Sequence, residues 1–299
     1  MELLSLLEES RAAFAAVAFL FGLAIGSFLN VVIYRLPIIL EREWRAQCAE
    51  LGDEQSAVTA TPETFTLAHP RSRCPACSAP IRAVHNIPVL SRLALRGCCA
   101  SCGARIPARY PAVELAAGIL SAAVAWHFGF GFEAGCALVV TWFLVPLTGI
   151  DMDHQLLPDS LTLPLLWLGL LASLWADPAS SHALPADPRD AIIGAAAGYL
   201  FLWGVFHAFR LLTGKEGMGY GDFKLFAALG AWLGWQMLPL VLLLSAAVGA
   251  VVGIALIVLR RHGREVPMPF GPYLAGAGWI AMLWGPHIVD GDLSVSGLR

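Results

Sequence analysis

Charged side chains are scarce in this sequence: Asp, Glu, Lys and Arg make up only 14% of its 299 residues. In soluble domains such residues make up about a quarter of the chain, so an ordinary soluble globular protein is excluded. The sequence also lacks a P-loop, a dinucleotide-binding glycine fingerprint and a Ser-His-Asp pattern. Its basic residues form no lysine-rich tract, so nucleic acid is not expected as a partner.

What the sequence has instead is long apolar runs. Hydrophobic residues make up 58% of the chain, and the mean hydropathy is +0.68. The stretch Ala12–Tyr34 contains no charge, and about 20 apolar residues in a helix cross a hydrocarbon core of ~30 Å. The alternating pattern of a membrane barrel is missing. The sequence therefore predicts an all-α polytopic membrane protein, with the lipid bilayer as its surroundings.

The hydropathy pattern predicts about eight transmembrane helices. They fall at residues 12–34, 112–129, 134–150, 161–175, 191–209, 223–235, 237–259 and 267–288. The uncharged stretch Leu225–Leu259 would form a single helix of about 52 Å, which is too long for a bilayer. We therefore divide it into two short spans at Gly234-Trp235-Gln236.

The basic residues predict the orientation of these helices. If eight helices alternate, sixteen of the nineteen Lys and Arg residues fall on one side, and Arg11, Arg189 and Arg299 on the other. The rich side is expected to be cytoplasmic, so both termini face the opposite side of the membrane. The predicted domains are residues 1–35 as the first transmembrane helix, 36–110 as a cytoplasmic domain, and 111–299 as a seven-helix membrane domain.

The predicted cytoplasmic domain contains an internal repeat of paired cysteines. CPACSAPI begins at Cys74 and CASCGARI at Cys99, each with the C-x-x-C spacing. Two such pairs about 20 residues apart indicate a Cys₄ site for structural Zn²⁺, with Cys74, Cys77, Cys99 and Cys102 as the ligands. Thiols stay reduced in the cytoplasm, which disfavours disulfides.

Other residues near the paired cysteines are expected to be bystanders. Cys98 could compete with Cys99, but only Cys99 keeps the spacing to Cys102. His69 and His85 are expected to be ordinary surface histidines, and Cys48 and Cys136 have no partner in the sequence. The early part of the domain, roughly 38–68, is weakly patterned and is expected to be amphipathic or mobile.

Aspartates stand at the predicted cytoplasmic edge of two spans. IDMDHQLLPD at 150–159 follows the third span, and GMGYGDFK at 217–224 follows the fifth. Ionisable groups at the end of an apolar helix are either caps or parts of a site. Asp159 fits an N-cap before the next span, and Asp222 could cap the helix that follows it.

Two features favour a site. Glycines at 217, 219 and 221 allow backbone conformations closed to other residues and a close approach of another chain, such as an extended substrate. Asp151 and Asp222, on different helices at the same depth, could also meet. Two close carboxylates in a partly dry site share one proton, which is the acid–base arrangement of an aspartic protease.

These motifs resemble a known family. GMGYGDFK is similar to the GxGD signature of intramembrane aspartyl proteases, and with IDMDHQLLPD it resembles the bacterial type IV prepilin peptidases. The resemblance extends along nearly the whole chain, through GSFLNVVIYRLP at 26–37, the paired cysteines with HNIPVLSRLALRG between them, RYPAVE at 109–114 and PFGPYLA at 269–275.

The resemblance implies a bifunctional inner-membrane enzyme. Such an enzyme cleaves the leader of type IV prepilins or type II secretion pseudopilins after a glycine, then N-methylates the new N-terminal residue, commonly phenylalanine, with S-adenosylmethionine. It maps the catalytic pair to Asp151 and Asp222, with Asp153 as the reserve. The alternatives are a leader peptidase without methyltransferase activity and a zinc-regulated membrane transporter.

The sequence does not locate the methyl donor. The candidates lie near Gly26, Asn30 and Glu114. Asn30 is nevertheless expected to bond another helix rather than a ligand, and Glu114 is expected to snorkel or pair with an arginine.

Overall fold

The computed structural model describes residues 2–51, 65–70, 74, 77–80, 97–177, 184–215, 217–260 and 268–295. These residues contain nine α-helices and no β-strand: α1 Glu2–Glu9, α2 Arg11–Leu51, α3 Arg109–Phe128, α4 Phe132–His154, α5 Asp159–Ala172, α6 Pro188–Thr213, α7 Tyr220–Leu233, α8 Leu238–Arg260 and α9 Gly271–Val295. Single 3₁₀ turns follow α5 at Ser173–Trp175 and precede α8 at Trp235–Met237.

The eight predicted spans fall on α2 to α9 in chain order. Five stretches are long and apolar enough to cross a membrane by length and composition, namely Arg11–Ala49, Arg109–Phe128, Phe132–His154, Pro188–Thr213 and Trp235–Leu256. The all-α class is therefore confirmed for the described residues, and the helices fit a multi-pass membrane protein. The count of eight spans stays a prediction.

The predicted break between the sixth and seventh segments is confirmed. Helix α7 ends at Leu233, and Gly234 has a left-handed backbone with φ +80°. A side chain is disfavoured by this conformation, and a Cβ there would also lie 2.8 Å from Oε1 of Gln236. The 35 uncharged residues therefore form two helices rather than one.

Helix α2 extends well beyond its predicted span. It continues without interruption from Tyr34 past Pro37 to Leu51, so the first part of the segment from 38 to 68, which was expected to be amphipathic or mobile, is helical. Its last turns are exposed, and Arg45 pairs there with Glu41 at 2.5 Å. Arg35 is the first charged residue after Arg11 and marks the end of the uncharged stretch. The helix continues beyond it. Residues 52–64 lie outside the described part.

The chain divides into two compact units, Ala15–Ala123 and Met1–Phe14 with Val124–Arg299. In the first unit, α2 and α3 pack closely. A Cβ on Gly22 would lie 2.6 Å from Oγ of Ser121, and one on Gly26 would lie 2.8 Å from Cα of Glu114. Small residues at these positions let the two backbones approach, as in many membrane helix pairs.

Two polar side chains of α2 also hold this unit together. Nδ2 of Asn30 donates to the carbonyl of Tyr110 on α3 at 2.9 Å, so Asn30 bonds another helix as expected. The buried guanidinium of Arg35 donates to the carbonyls of Thr66, Leu67 and Pro70 at 2.6–3.3 Å. Arg35 thereby attaches the segment before Cys74 to the helix, a role that the sequence did not indicate.

In the second unit, α7 is the central helix. Helices α5, α6, α8 and α9 all pack against it, and its side chains from Phe223 to Trp232 are buried except for Lys224. A helix that is apolar all round belongs in an interior. Helix α7 meets α6 backbone to backbone, because Cβ atoms on Gly194 and Gly230 would each collide with the other residue's carbonyl oxygen.

The directions of these helices bring several helix ends together. Near its start α7 contacts the start of α5 through Lys224 and Asp159, and Nε1 of Trp232 donates to the carbonyl of Leu165 further along, so α5 and α7 are parallel. Helices α4 and α9 are antiparallel, with Thr141 against Trp279 in the middle and the end of α4 against the start of α9. Alternating membrane crossings require these directions.

The α6–α7 contact gives a stability prediction. Gly194→Ala should destabilise the protein by about 1–3 kcal/mol, because the added methyl must displace the backbone of Gly230. Gly204→Ala on the same helix is the matched control, since nothing lies within 4 Å of its Cβ position. Thermal unfolding in detergent should show a lower midpoint for the first variant alone. Equal midpoints would contradict the close contact.

Candidate functional site

Asp151 lies in the last turn of α4 and is buried, with 5% of its surface exposed. Its Oδ2 accepts a hydrogen bond from the main-chain N–H of Gly271, at 2.9 Å. Gly271 is the first residue of α9, where the N–H groups have no partner within the helix. The end of one helix thus presents its carboxylate to the beginning of another.

Asp222 lies in the first turn of α7 and is 7% exposed. Its Oδ2 accepts a hydrogen bond from the N–H of Gly219, the N-cap residue of the same helix, at 3.2 Å. Asp222 was expected to precede the helix as its cap, but the helix begins at Tyr220 with Gly219 as the N-cap, and Asp222 bonds back to Gly219 from the third helical position. This role uses one carboxylate oxygen.

The structure brings Asp151 and Asp222 close enough to interact electrostatically. The loop after α4 contributes the buried Leu157, which lies against Gly221, the residue before Asp222, and against Gly271, the hydrogen-bond partner of Asp151. Cβ atoms on Gly221 and Gly271 would lie 2.6 Å and 3.2 Å from Leu157 atoms. The two aspartates that the sequence singled out, 71 positions apart, thus share one end of the unit.

The two other aspartates of the 150–159 motif lie elsewhere. Asp153 is exposed, unlike its neighbour Asp151. Asp159 was expected to be an N-cap, but Pro158 occupies that position and Asp159 is the first helical residue. Its carboxylate instead accepts from Nζ of Lys224, at 2.6 and 2.7 Å. This exposed ion pair joins the two sequence motifs at the starts of α5 and α7.

The glycines at 217, 219 and 221 have a different role from the expected one. None of them has a left-handed φ. A Cβ on Gly217 would lie 2.9 Å from the ring of Phe209, and one on Gly221 would lie 2.6 Å from Cβ of Leu157. The close approach at these two positions is therefore to side chains of the same chain. At Gly219 a Cβ would make only an ordinary contact, 3.6 Å from Oδ2 of Asp222.

An apolar recess of about 180 Å³ adjoins this segment. It is lined by residues from the end of α6 and from the glycine-rich segment: Val205, Phe206, Phe209, Gly217 and Met218. The ring of Phe206 packs against Tyr220 and Phe223, with centroids 5.3 and 5.6 Å away. The surface between the end of α6 and the glycine-rich segment is thus apolar and aromatic.

The other unit contains the predicted cysteine cluster. The Sγ atoms of Cys74, Cys77, Cys99 and Cys102 all lie within 4.8 Å of one another, and those of Cys74 and Cys102 are 3.9 Å apart. A tetrahedron with Zn–S bonds of about 2.3 Å has edges of about 3.8 Å. These four thiols therefore fit a single zinc ion.

The two cysteine pairs have the same local geometry. The N–H of Cys74 donates to the carbonyl of Ala79 at 2.9 Å, and the N–H of Cys99 donates to the carbonyl of Ala104 at 2.8 Å. In both turns the residue just before that alanine has a left-handed φ, +56° at Ser78 and +71° at Gly103. The sequence repeat is therefore a structural repeat, which presents two thiols from each turn.

The environment of Cys99 suits a metal ligand. The N–H groups of Ser101 and Cys102 donate to its sulfur and lower the pKa of the Cys99 thiol to about 6. The thiolate is the form that binds metals. Cys98, the alternative ligand, is outside the cluster and forms a backbone bridge with Arg105.

The remaining described cysteines and the described His69 are not part of this cluster. Cys48 is exposed and Cys136 is buried in α4. The carbonyl of His69 accepts from the N–H of Thr66 in the segment that Arg35 holds. His85 lies outside the described residues.

The methyl-donor candidates lie where α2 meets α3. Gly26 is in contact with the backbone of Glu114, and Asn30 is bonded to Tyr110. Glu114 is half-buried. Gly26 and Asn30 thus have packing roles, and their assignment to a cofactor stays a prediction.

Two family models match this chain. The model described as Bacterial Peptidase A24 N-terminal domain matches residues 20–128, which include the cysteine cluster. The model described as Type IV leader peptidase family matches residues 138–254, which include Asp151 and Asp222.

Curated relatives match nearly the full length. A prepilin leader peptidase/N-methyltransferase of Stutzerimonas stutzeri is 52% identical over 98% of this chain and 98% of its own. Proteins of the same name from Aeromonas salmonicida and Legionella pneumophila are 57% and 46% identical, over 93% and 91% of this chain and 94% and 91% of theirs. No solved structure matches the chain.

The geometry of the glycine-rich segment predicts that its glycines differ in tolerance. Gly221→Ala should destabilise the protein by about 1–3 kcal/mol, because the new methyl overlaps Leu157. Gly219→Ala should cost less, because its Cβ fits at 3.6 Å from the nearest atom. Thermal unfolding midpoints in detergent compare the two variants, and a larger loss at Gly219 would contradict the packing described.

Proposed function

Since this chain belongs to the type IV leader peptidase family, we propose that it cleaves the leader of type IV prepilins or type II secretion pseudopilins after a glycine and then N-methylates the new N-terminal residue, usually phenylalanine. The observation that carries the proposal is the pair of buried aspartates, Asp151 and Asp222, which lie close enough at one end of the helical unit to interact electrostatically. The family is one of aspartic peptidases, which use such a pair.

The mechanism follows from the chemistry of two neighbouring carboxylates. Only one of them ionises easily, so the pair holds one proton. The ionised carboxylate takes a proton from water, which attacks the peptide carbonyl, and the protonated one gives its proton to the leaving amine. Asp151 and Asp222 are the catalytic residues in this proposal, with Asp153 in reserve. The apolar recess at the glycine-rich segment that precedes Asp222 suits the apolar residue after the scissile bond.

The protein is proposed to lie in the bacterial inner membrane with eight spans, both termini in the periplasm and the aspartates on the cytoplasmic side. The support is the sixteen of nineteen basic residues on one side of that topology, and the alternating helix directions within each unit. A transporter is disfavoured, because both aspartates occupy the terminal turns of their helices.

Replacement of either aspartate tests the peptidase. Asp151→Asn and Asp222→Asn should each lower the cleavage rate of a prepilin in detergent by at least about a thousandfold, since one carboxylate alone cannot serve as both acid and base. The exposed Asp153 offers the matched control, and Asp153→Asn should cleave at the wild-type rate.

The outcomes separate the assignments. Activity lost in Asp153→Asn and kept in Asp151→Asn would move the catalytic role two residues along. Cleavage retained in Asp151→Asn and in Asp222→Asn would rule out the aspartic mechanism.

The cysteine cluster is proposed to hold one structural Zn²⁺. Four thiolates leave no open coordination position, so the ion would stabilise the fold around the two turns rather than take part in catalysis. The support is the spacing of the four sulfurs and the matched geometry of the two turns.

Metal analysis tests this site. Purified protein should contain one zinc per chain, and Cys74→Ser/Cys99→Ser should lose it, with a lower unfolding midpoint because structural zinc contributes to folding free energy. Cys98→Ser is the matched control and should keep the metal. Full zinc content in the double variant would show that the ligands are wrong.

Methyl transfer is proposed to use S-adenosylmethionine, which supplies an electrophilic methyl group to the new amine. The chain's part is to hold that amine uncharged beside the methyl donor, a task that needs no proton-sharing carboxylate pair. Gly26 and Asn30 are engaged in packing, so no residue is assigned to the donor.

A further inference from the structure

Gly271 contacts Asp151 through its main chain. Its N–H donates to Oδ2 at 2.9 Å within the buried part of the unit, across 120 residues of sequence. Gly271 is the first residue of α9, and the first N–H groups of a helix have no carbonyl partner within it. This N–H is therefore available for a side chain. It lies beyond residue 254, where the match to the leader peptidase family model ends.

Glycine at this position is required by the carboxylate rather than by the backbone. Gly271 does not have a left-handed φ, so its conformation is open to other residues. Yet a Cβ there would lie 2.6 Å from Oδ2 and 3.0 Å from Cγ of Asp151. Even alanine would therefore displace the carboxylate or break its hydrogen bond.

One carboxylate oxygen is held in each of the two aspartates. Oδ2 of Asp151 accepts from Gly271, and Oδ2 of Asp222 accepts from Gly219. Among the described residues these are the only hydrogen bonds to the two carboxylates. Each Oδ1 therefore remains for the other carboxylate, for water or for substrate.

We propose that Gly271 is a positioning residue of the peptidase, whose N–H fixes the plane of the Asp151 carboxylate so that Oδ1 meets Asp222 and the attacking water. The inference rests on the proposed aspartic peptidase activity. A shared proton requires one mutual geometry of the two carboxylates, and a misplacement of 1 Å can cost about a hundredfold in rate.

The test compares Gly271→Ala with Gly276→Ala on the same helix, where nothing lies within 4 Å of the Cβ position. With a purified prepilin in detergent, Gly271→Ala should lower kcat by about a hundredfold and leave KM within twofold of wild type. Its methylation of a pre-cleaved peptide should stay unchanged, and its unfolding midpoint should fall by less than that of Gly221→Ala, because the end of the Asp151 side chain can rotate away from the added methyl. Gly276→Ala should match wild type throughout.

A second variant separates positioning from crowding. The added methyl would also lie 3.2 Å from Cδ2 of Leu157. If the loss of kcat arose from steric overlap with Leu157, the double variant Leu157→Ala/Gly271→Ala would regain activity. We expect the double variant to stay impaired, because the contact with Asp151 persists.

The result that overturns the inference is wild-type kcat in Gly271→Ala, a rescue by Leu157→Ala, or a loss of methylation together with a lower midpoint. Asp151→Asn assayed in parallel keeps the two proposals apart. If it is inactive while Gly271→Ala is active, only the positioning role fails. If it is as active as wild type, the aspartic peptidase proposal fails as well.

Discussion

The burial of α7 on all sides is the constraint on which its unit depends. Four helices pack around it, and its contact with α6 is so close that Gly194 and Gly230 meet through their backbones. A helix held in this way cannot shift or rotate without opening the interior. Asp222 stands in its first turn, so the packing that stabilises the unit also fixes the position of one carboxylate.

In the proposed mechanism each aspartate combines a structural and a chemical task by dividing them between its two oxygens. Oδ2 satisfies a main-chain N–H at a helix start, from Gly219 in one case and Gly271 in the other. Buried carboxylates need such partners. The view of Asp222 as a helix cap and the view of it as a catalytic residue are therefore compatible.

Local sequence patterns predicted much of this architecture. The helix break at Gly234 and the clustering of the four cysteines followed from short-range signals, because a left-handed turn and a C-x-x-C turn are each set by a few neighbouring residues. Long-range contacts left no such signal. Nothing near Gly271 in the sequence indicates Asp151, and the partner of Asp159 proved to be Lys224 rather than its own helix.

Two neighbouring helices are shorter than the hydrocarbon core of a bilayer is thick. Helices α5 and α7 have 14 residues each, or about 21 Å, against a hydrocarbon core of ~30 Å. The 3₁₀ turns add only a few ångströms. In the proposed topology α7 is enclosed by other helices, so this mismatch requires the bilayer to thin beside the partly exposed α5 or to admit water at the ends of the pair. Both helices begin near the aspartates, so in this topology water has a short route to the proposed catalytic pair, and the acyl-chain length of the host membrane becomes a determinant of its environment.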